Sequence, residues 1–188
     1  MTEKLKSNPT RAKFEAYLGN YLNFGNYLQA YHNAFNTLID DIEKTNQHVD
    51  RIAYPMLFIA RHCLELGFKA NIRYFKKYSE KNDFTNSDSH NLKDLLGGFK
   101  LHITTTVTKL KEKYDIDVTK EDLEEFDTYY KDVEQLTNQF DIIDSGSFSF
   151  RYPTDKDNKK VFESGDRINL LDIKESFDKS MTLLVLAP

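Results

Sequence analysis

The chain has 188 residues, 26 Lys and Arg against 30 Asp and Glu, a formal charge of −4, and 39% hydrophobic residues. This balance excludes a uniformly basic nucleic-acid coat, though not a local basic groove on an acidic body. The length suits one domain with its own core, residues 1–188, of which 1–10 are expected to be flexible. The single cysteine, Cys63, excludes an internal disulfide and a Cys-x-x-Cys zinc pair.

No apolar run nears the roughly 18 residues of a membrane span. The polar start Met1-Thr2-Glu3-Lys4-Leu5-Lys6 leads into no signal-peptide core, so a cytoplasmic protein without a membrane partner is expected. Aromatic residues make up 13% of the chain without any Trp, which leaves Phe and Tyr to fill the core.

From about Arg11 to Thr45, Phe14, Leu18, Leu28, Tyr31, Phe35, Leu38 and Ile42 recur at helical spacings. They predict one long helix, weakened or bent at Gly19 and Gly25. A second helix opens near Asp50 and runs to about Ser79, with Pro55 tolerable in its first turn or as a kink. It should be the central, most buried element.

Within that second helix, Arg61-His62-Cys63-Leu64-Glu65-Leu66-Gly67-Phe68-Lys69 sets four chargeable groups in an otherwise apolar stretch. His62, Glu65 and Lys69 share one stripe, and Arg61 precedes Glu65 by four residues. Such groups must find partners, line a cleft or lie at a subunit interface. Arg73-Tyr74-Phe75-Lys76-Lys77-Tyr78 then interleaves cations with aromatics. That pattern suits a nucleic-acid surface, but more simply reads as cations at a helix C-terminus whose stems cover apolar neighbours.

A polar loop from Glu80 to Asn91 precedes a third helix, capped by Ser89 or Asn91. Gly97-Gly98 is expected to interrupt it, and the β-branched run Ile103-Thr104-Thr105-Thr106-Val107 reads partly as strand. Thr119 with Asp122 resembles a capping box for a fourth helix, Lys120 to about Ile143, whose acidic residues Glu121 to Asp127 make a solvated face. Ser147-Phe148-Ser149-Phe150-Arg151-Tyr152 alternates as a short strand. It predicts a small hairpin with Asp155 to Lys160 at its tip and Asp166 to Leu170 returning, before a last helix from about Leu171 to Leu186.

The Arg61–Lys69 helix, followed after a polar loop by Ser89-His90-Asn91-Leu92-Lys93-Asp94-Leu95, resembles bacterial members of the HEPN superfamily. There a His-x-x-Glu-Leu-x-x-Lys-like helix precedes a Gly-His-Asp-Leu-like helix start. The segment Phe150-Arg151-Tyr152-Pro153-Thr154-Asp155 is similar to one in relatives of that kind. The resemblance implies an all-α bundle, here about five helices plus the hairpin, that forms a homodimer and takes part in RNA cleavage, RNA binding, toxin–antitoxin pairs or phage defence.

Ribonucleases of that superfamily carry Arg-x4–6-His, a cation and an imidazole that activate a ribose hydroxyl and stabilise phosphorane-like charge. No arginine here meets that spacing: after Arg61 the test positions hold Leu66, Gly67 and Phe68, and Arg11, Arg51, Arg73, Arg151 and Arg167 fail likewise.

Three functions follow as expectations. The first is an RNA-associated binding or regulatory protein, with Lys69, His90, Arg151 and Tyr152 facing phosphate and bases. The second is a divergent metal-independent ribonuclease with His62 as acid or base, Arg61 or Arg151 stabilising charge, and Glu65 beside them. The third is an adaptor that binds another protein, encoded nearby, without nucleic acid. No cofactor or metal is expected, because His62, Cys63 and Glu65 diverge around one helix. A purely structural pairing of Arg61, Glu65 and Lys69 is the plain alternative for the cluster.

Overall fold

A computed structural model describes residues 9–16, 19, 23–45, 49–81, 89–144, 147–155 and 157–185. The first eight residues, expected to be flexible, lie outside them. The architecture is all-α. A short 3₁₀ helix, Pro9–Phe14, precedes α1 (Phe24–Thr45), α2 (Val49–Ser79), α3 (Leu92–Tyr114), α4 (Lys120–Asp144) and α5 (Leu170–Leu184).

The expected single helix from Arg11 is corrected to two pieces. Gly19 adopts a left-handed φ of 91°, which no helix continues through. Asn23 then starts α1 afresh, its Oδ1 accepting the Asn26 N–H at 2.8 Å. From there Leu28, Phe35 and Ile39 are buried on one face.

The central helix is α2, which packs against α1, α3 and α5, while α4 packs on α5 and α3. Met56, Leu57, Ala60, Cys63, Leu64, Phe68 and Ile72 are each less than 5% exposed. Pro55 lies in the second turn rather than the first. It is tolerated there because both it and Arg51, whose carbonyl loses its helical donor, face solvent.

Neither the Gly97-Gly98 pair nor the β-branched run stops α3, contrary to expectation. Thr104 and Thr106 return their hydroxyls to the carbonyls of Lys100 and His102 at 3.0 and 2.8 Å. Leu92, Leu95, Leu96, Phe99, His102 and Thr106 keep a helical stripe buried, so packing outweighs propensity. Asn91 is the cap, accepting from Lys93 and Asp94 N–H. The Thr119–Asp122 capping box is reciprocal, with both backbone N–H groups satisfied, at 2.9 and 3.1 Å. The acidic residues that follow it are exposed.

The hairpin expectation is corrected. No strand occurs among the described residues; one antiparallel bridge, Thr154 to Lys160, closes a loop whose Lys156 lies outside them. The 147–152 segment is a turn because the Asp144 carboxylate takes the N–H groups of Phe148 and Ser149 at 2.7 and 2.9 Å. Phe150 meanwhile plugs the core edge-on to Phe140. Asp166 turns back on Glu163, and Asn169 caps α5, so the expected return strand is loop and cap.

Two glycines separate packing from propensity. A Cβ on Gly67 would stand 3.0 Å from Cβ and Cδ1 of Leu184, whereas one on Gly97 meets nothing within 4 Å. Gly67→Val is expected to lower unfolding free energy by about 1–3 kcal/mol. Gly97→Ala should raise it by about 0.5–1 kcal/mol. Urea denaturation measures both, and the opposite ordering would refute this seam between α2 and α5.

Candidate functional site

The charged cluster of α2 splits into a sealed half and an open half. Arg61 is 1% exposed. Its Nε donates to the Asp144 carbonyl at 3.1 Å and faces the Asp144 carboxylate at 3.3 Å. Nη2 donates to the His90 carbonyl at 2.8 Å, and Nη1 reaches Glu65 at 3.4 Å. The other Glu65 oxygen accepts from Lys69 Nζ and meets His90 Nδ1, both at 2.9 Å.

Two cations and two carboxylates thus close on one another, tying α2 to the entry of α3 and the end of α4. Burial pulls the Arg61 pKa down, opposed by Asp144 and Glu65. Burial would raise that of Glu65, but Lys69 and His90 outweigh it and hold the carboxyl below its usual range. Arg61 and Glu65 are thereby placed as structural ion-pair partners. Asp144, which completes the network, had no local sequence signal, since it lies 83 residues from Arg61.

His62 leaves that network. Its ring stands edge-on to Tyr31 at 4.7 Å and stacks on Phe58 at 5.7 Å with planes 6° apart. Burial lowers its pKa from the ordinary value, against an opposing pull from Glu65 and with help from Lys69 and Arg61. It is therefore neutral near pH 7 and able to accept a proton.

His62, Glu65, Leu66, Lys69 and Arg73 line a cleft of about 460 Å³, faced across from α1 by Asn23, Phe24 and Tyr27. A second recess of about 450 Å³ shares Asn23, Phe24 and Arg73 and continues past Tyr74 and Lys77 to the end of α5. Arg73 stands at the junction, exposed to solvent. It follows Lys69 by four residues and His62 by eleven, so the ridge is visible in the spacing. The plain reading of a basic helix end passes over it.

Three expected contacts lie elsewhere. Arg151 donates from Nε to the Ser147 carbonyl at 2.6 Å and lays its guanidinium over the rings of Phe148, Phe58 and Tyr152 at 5.3 to 5.7 Å. Arg151 and Tyr152 are exposed, and Arg151 meets the His62 ridge through Phe58. The His90 side chain is 71% exposed beside Glu65. Among the described residues no group of three His, Cys, Asp or Glu is arranged for a metal ion, and no helix is long and apolar enough to cross a membrane.

Comparison with family models, curated proteins and solved structures gives no match. The side chains themselves carry the functional signal.

Two expected outcomes follow from the sealed half and from His62. Arg61→Ala and Asp144→Ala should each lower stability by about 3–5 kcal/mol, because each leaves a buried charge unpaired. The double variant should be less destabilised than their sum. Chemical denaturation checks this, and full additivity would exclude the pairing.

For His62, the folded chain holds fewer protons than the unfolded one between its lowered pKa and about 6.5. Its contribution to stability is thus present above pH 6.5 and lost as pH falls toward the folded value. His32 and His102, lowered chiefly by burial, act in the same direction. An NMR titration placing the His62 midpoint at or above 6.5 would contradict this.

Proposed function

We propose that this chain is a HEPN-like, RNA-associated binding or regulatory protein of a bacterial stress, toxin–antitoxin or phage-defence system, acting in the cytoplasm as a homodimer. The observation that carries the RNA-binding part is the cleft in which His62 and the exposed Arg73 lie on one ridge of α2 facing Tyr27, with Lys69 between them paired to Glu65. A phosphodiester needs fixed cations, and a base needs an aromatic face. The family relationship rests on the Arg61–Lys69 and Ser89–Leu95 segments and is compatible with the all-α architecture.

RNA binding followed by fluorescence anisotropy tests this. Wild type is expected to bind with affinity that falls steeply between about 50 and 200 mM salt. Arg73→Ala should weaken binding and reduce the magnitude of the salt slope by about 0.7, the share of one neutralised phosphate on a single strand. Lys120→Ala on the remote tip of α4 should change neither. Negligible binding at low salt would overturn the reading.

A second reading, a divergent ribonuclease, is favoured by the neutral His62 imidazole in one cleft with the exposed Arg73. In it His62 takes the 2′-hydroxyl proton as that oxygen bonds to phosphorus, Arg73 stabilises the developing phosphorane charge, and the imidazolium returns the proton to the 5′-oxygen as its bond to phosphorus breaks. Arg61, buried in its ion pairs, is out of reach of such a substrate. Cleavage by wild type that disappears in His62→Ala with binding retained would select this reading, and absence of cleavage would remove it.

A further inference from the structure

We infer that the ligand of this ridge is a single strand of RNA laid lengthwise along α2, rather than a duplex or a compact mononucleotide. This rests on the RNA-binding reading and adds the form of the ligand. The exposed cations Arg73 and Lys77 stand four residues apart, about 6 Å of helix rise. Arg73 belongs to both recesses, so they form one continuous groove rather than two separate pockets.

Aromatic faces accompany the cations. Tyr27, 48% exposed, stands on the α1 wall, and Tyr74 lies on α2 with Lys77 over its ring at 5.9 Å. In the other direction the row continues through the stacked His62 and Phe58 to the Arg151 guanidinium. From Phe58 to Lys77 the ridge extends about 28 Å at 1.5 Å per residue, too long for one nucleotide to occupy.

The choice between strand and duplex follows from where the rings sit. Tyr27 and Tyr74 line recesses, where a base reaches them only if its own face is free. In a double helix each base face is already stacked on a neighbour, so a duplex would offer the groove phosphates alone. A single strand offers both, at the density of cations and rings found here.

The test titrates the full-length protein with labelled single-stranded oligouridylates of about 4, 8 and 12 nucleotides and with a blunt RNA duplex. Affinity is expected to rise with length and to exceed that for the duplex at least about tenfold. Tyr27→Ala and Tyr74→Ala should each weaken single-strand binding about 5- to 100-fold, as removal of one base stack does. Lys77→Ala should weaken the long oligonucleotides more than the shortest. Tyr27 is exposed, so its variant stays informative should Tyr74→Ala perturb folding.

Equal or tighter duplex binding, or unchanged affinity in both tyrosine variants, overturns the single-strand inference while leaving RNA binding in place. A protein that binds none of these RNAs overturns both.

Discussion

The guanidinium of Arg61 is sealed at 1% exposure in the middle of the longest helix, and the surrounding segments are arranged to compensate it. Removing such a charge from water costs several kcal/mol, recovered only when good geometry and further hydrogen bonds satisfy it. Here the partners come from separate places: Glu65 one turn on, the His90 carbonyl at the entry of α3, and Asp144 at the end of α4. Because α2 contributes the buried cation, α3 and α4 must begin and end where their oxygens reach it. The apolar core supplies most of the burial energy. The Arg61 network adds a condition on register that apolar packing alone would leave loose.

The same network shapes what remains open. Glu65 directs its charge to Lys69 and His90, and Asp144 directs its own to Arg61 and to the amides of the following turn. The α2 face toward α1 is therefore left with an excess of cations from Arg73 onward, where Arg73 and Lys77 line the recesses. His62, displaced from the carboxylates by its packing between Tyr31 and Phe58, stays neutral beside them. An acidic chain thus carries a local basic groove. Its acidity is exposed along the first turns of α4, where Glu121, Asp122, Glu124, Glu125 and Asp127 face solvent.

Much of the site was legible as residue types and little of it as roles. Spacing alone put His62 and Lys69 on one stripe, and counting four further residues reaches Arg73. The division into sealed and open members depends on Asp144 and on Tyr27, which enter from other helices. Arg151 illustrates the same limit. Its aromatic neighbours in sequence suggested a strand that stacks bases, whereas its guanidinium rests on Phe58, brought from α2, and its segment turns because Asp144 holds the amides.

By itself the sequence determined the helical periodicity, the capping box at Thr119, a cap for α3 at Ser89 or Asn91, the centrality of the second helix and the need to compensate its charges. These are properties of neighbours within a few residues, where spacing and side-chain chemistry suffice. Only tertiary structure decided that α3 runs through Gly97-Gly98 and five β-branched residues, that 147–152 turns instead of extending, and which charges are satisfied internally. Each of those outcomes depends on burial against a distant segment. Burial acts on surfaces that meet only after the chain has folded.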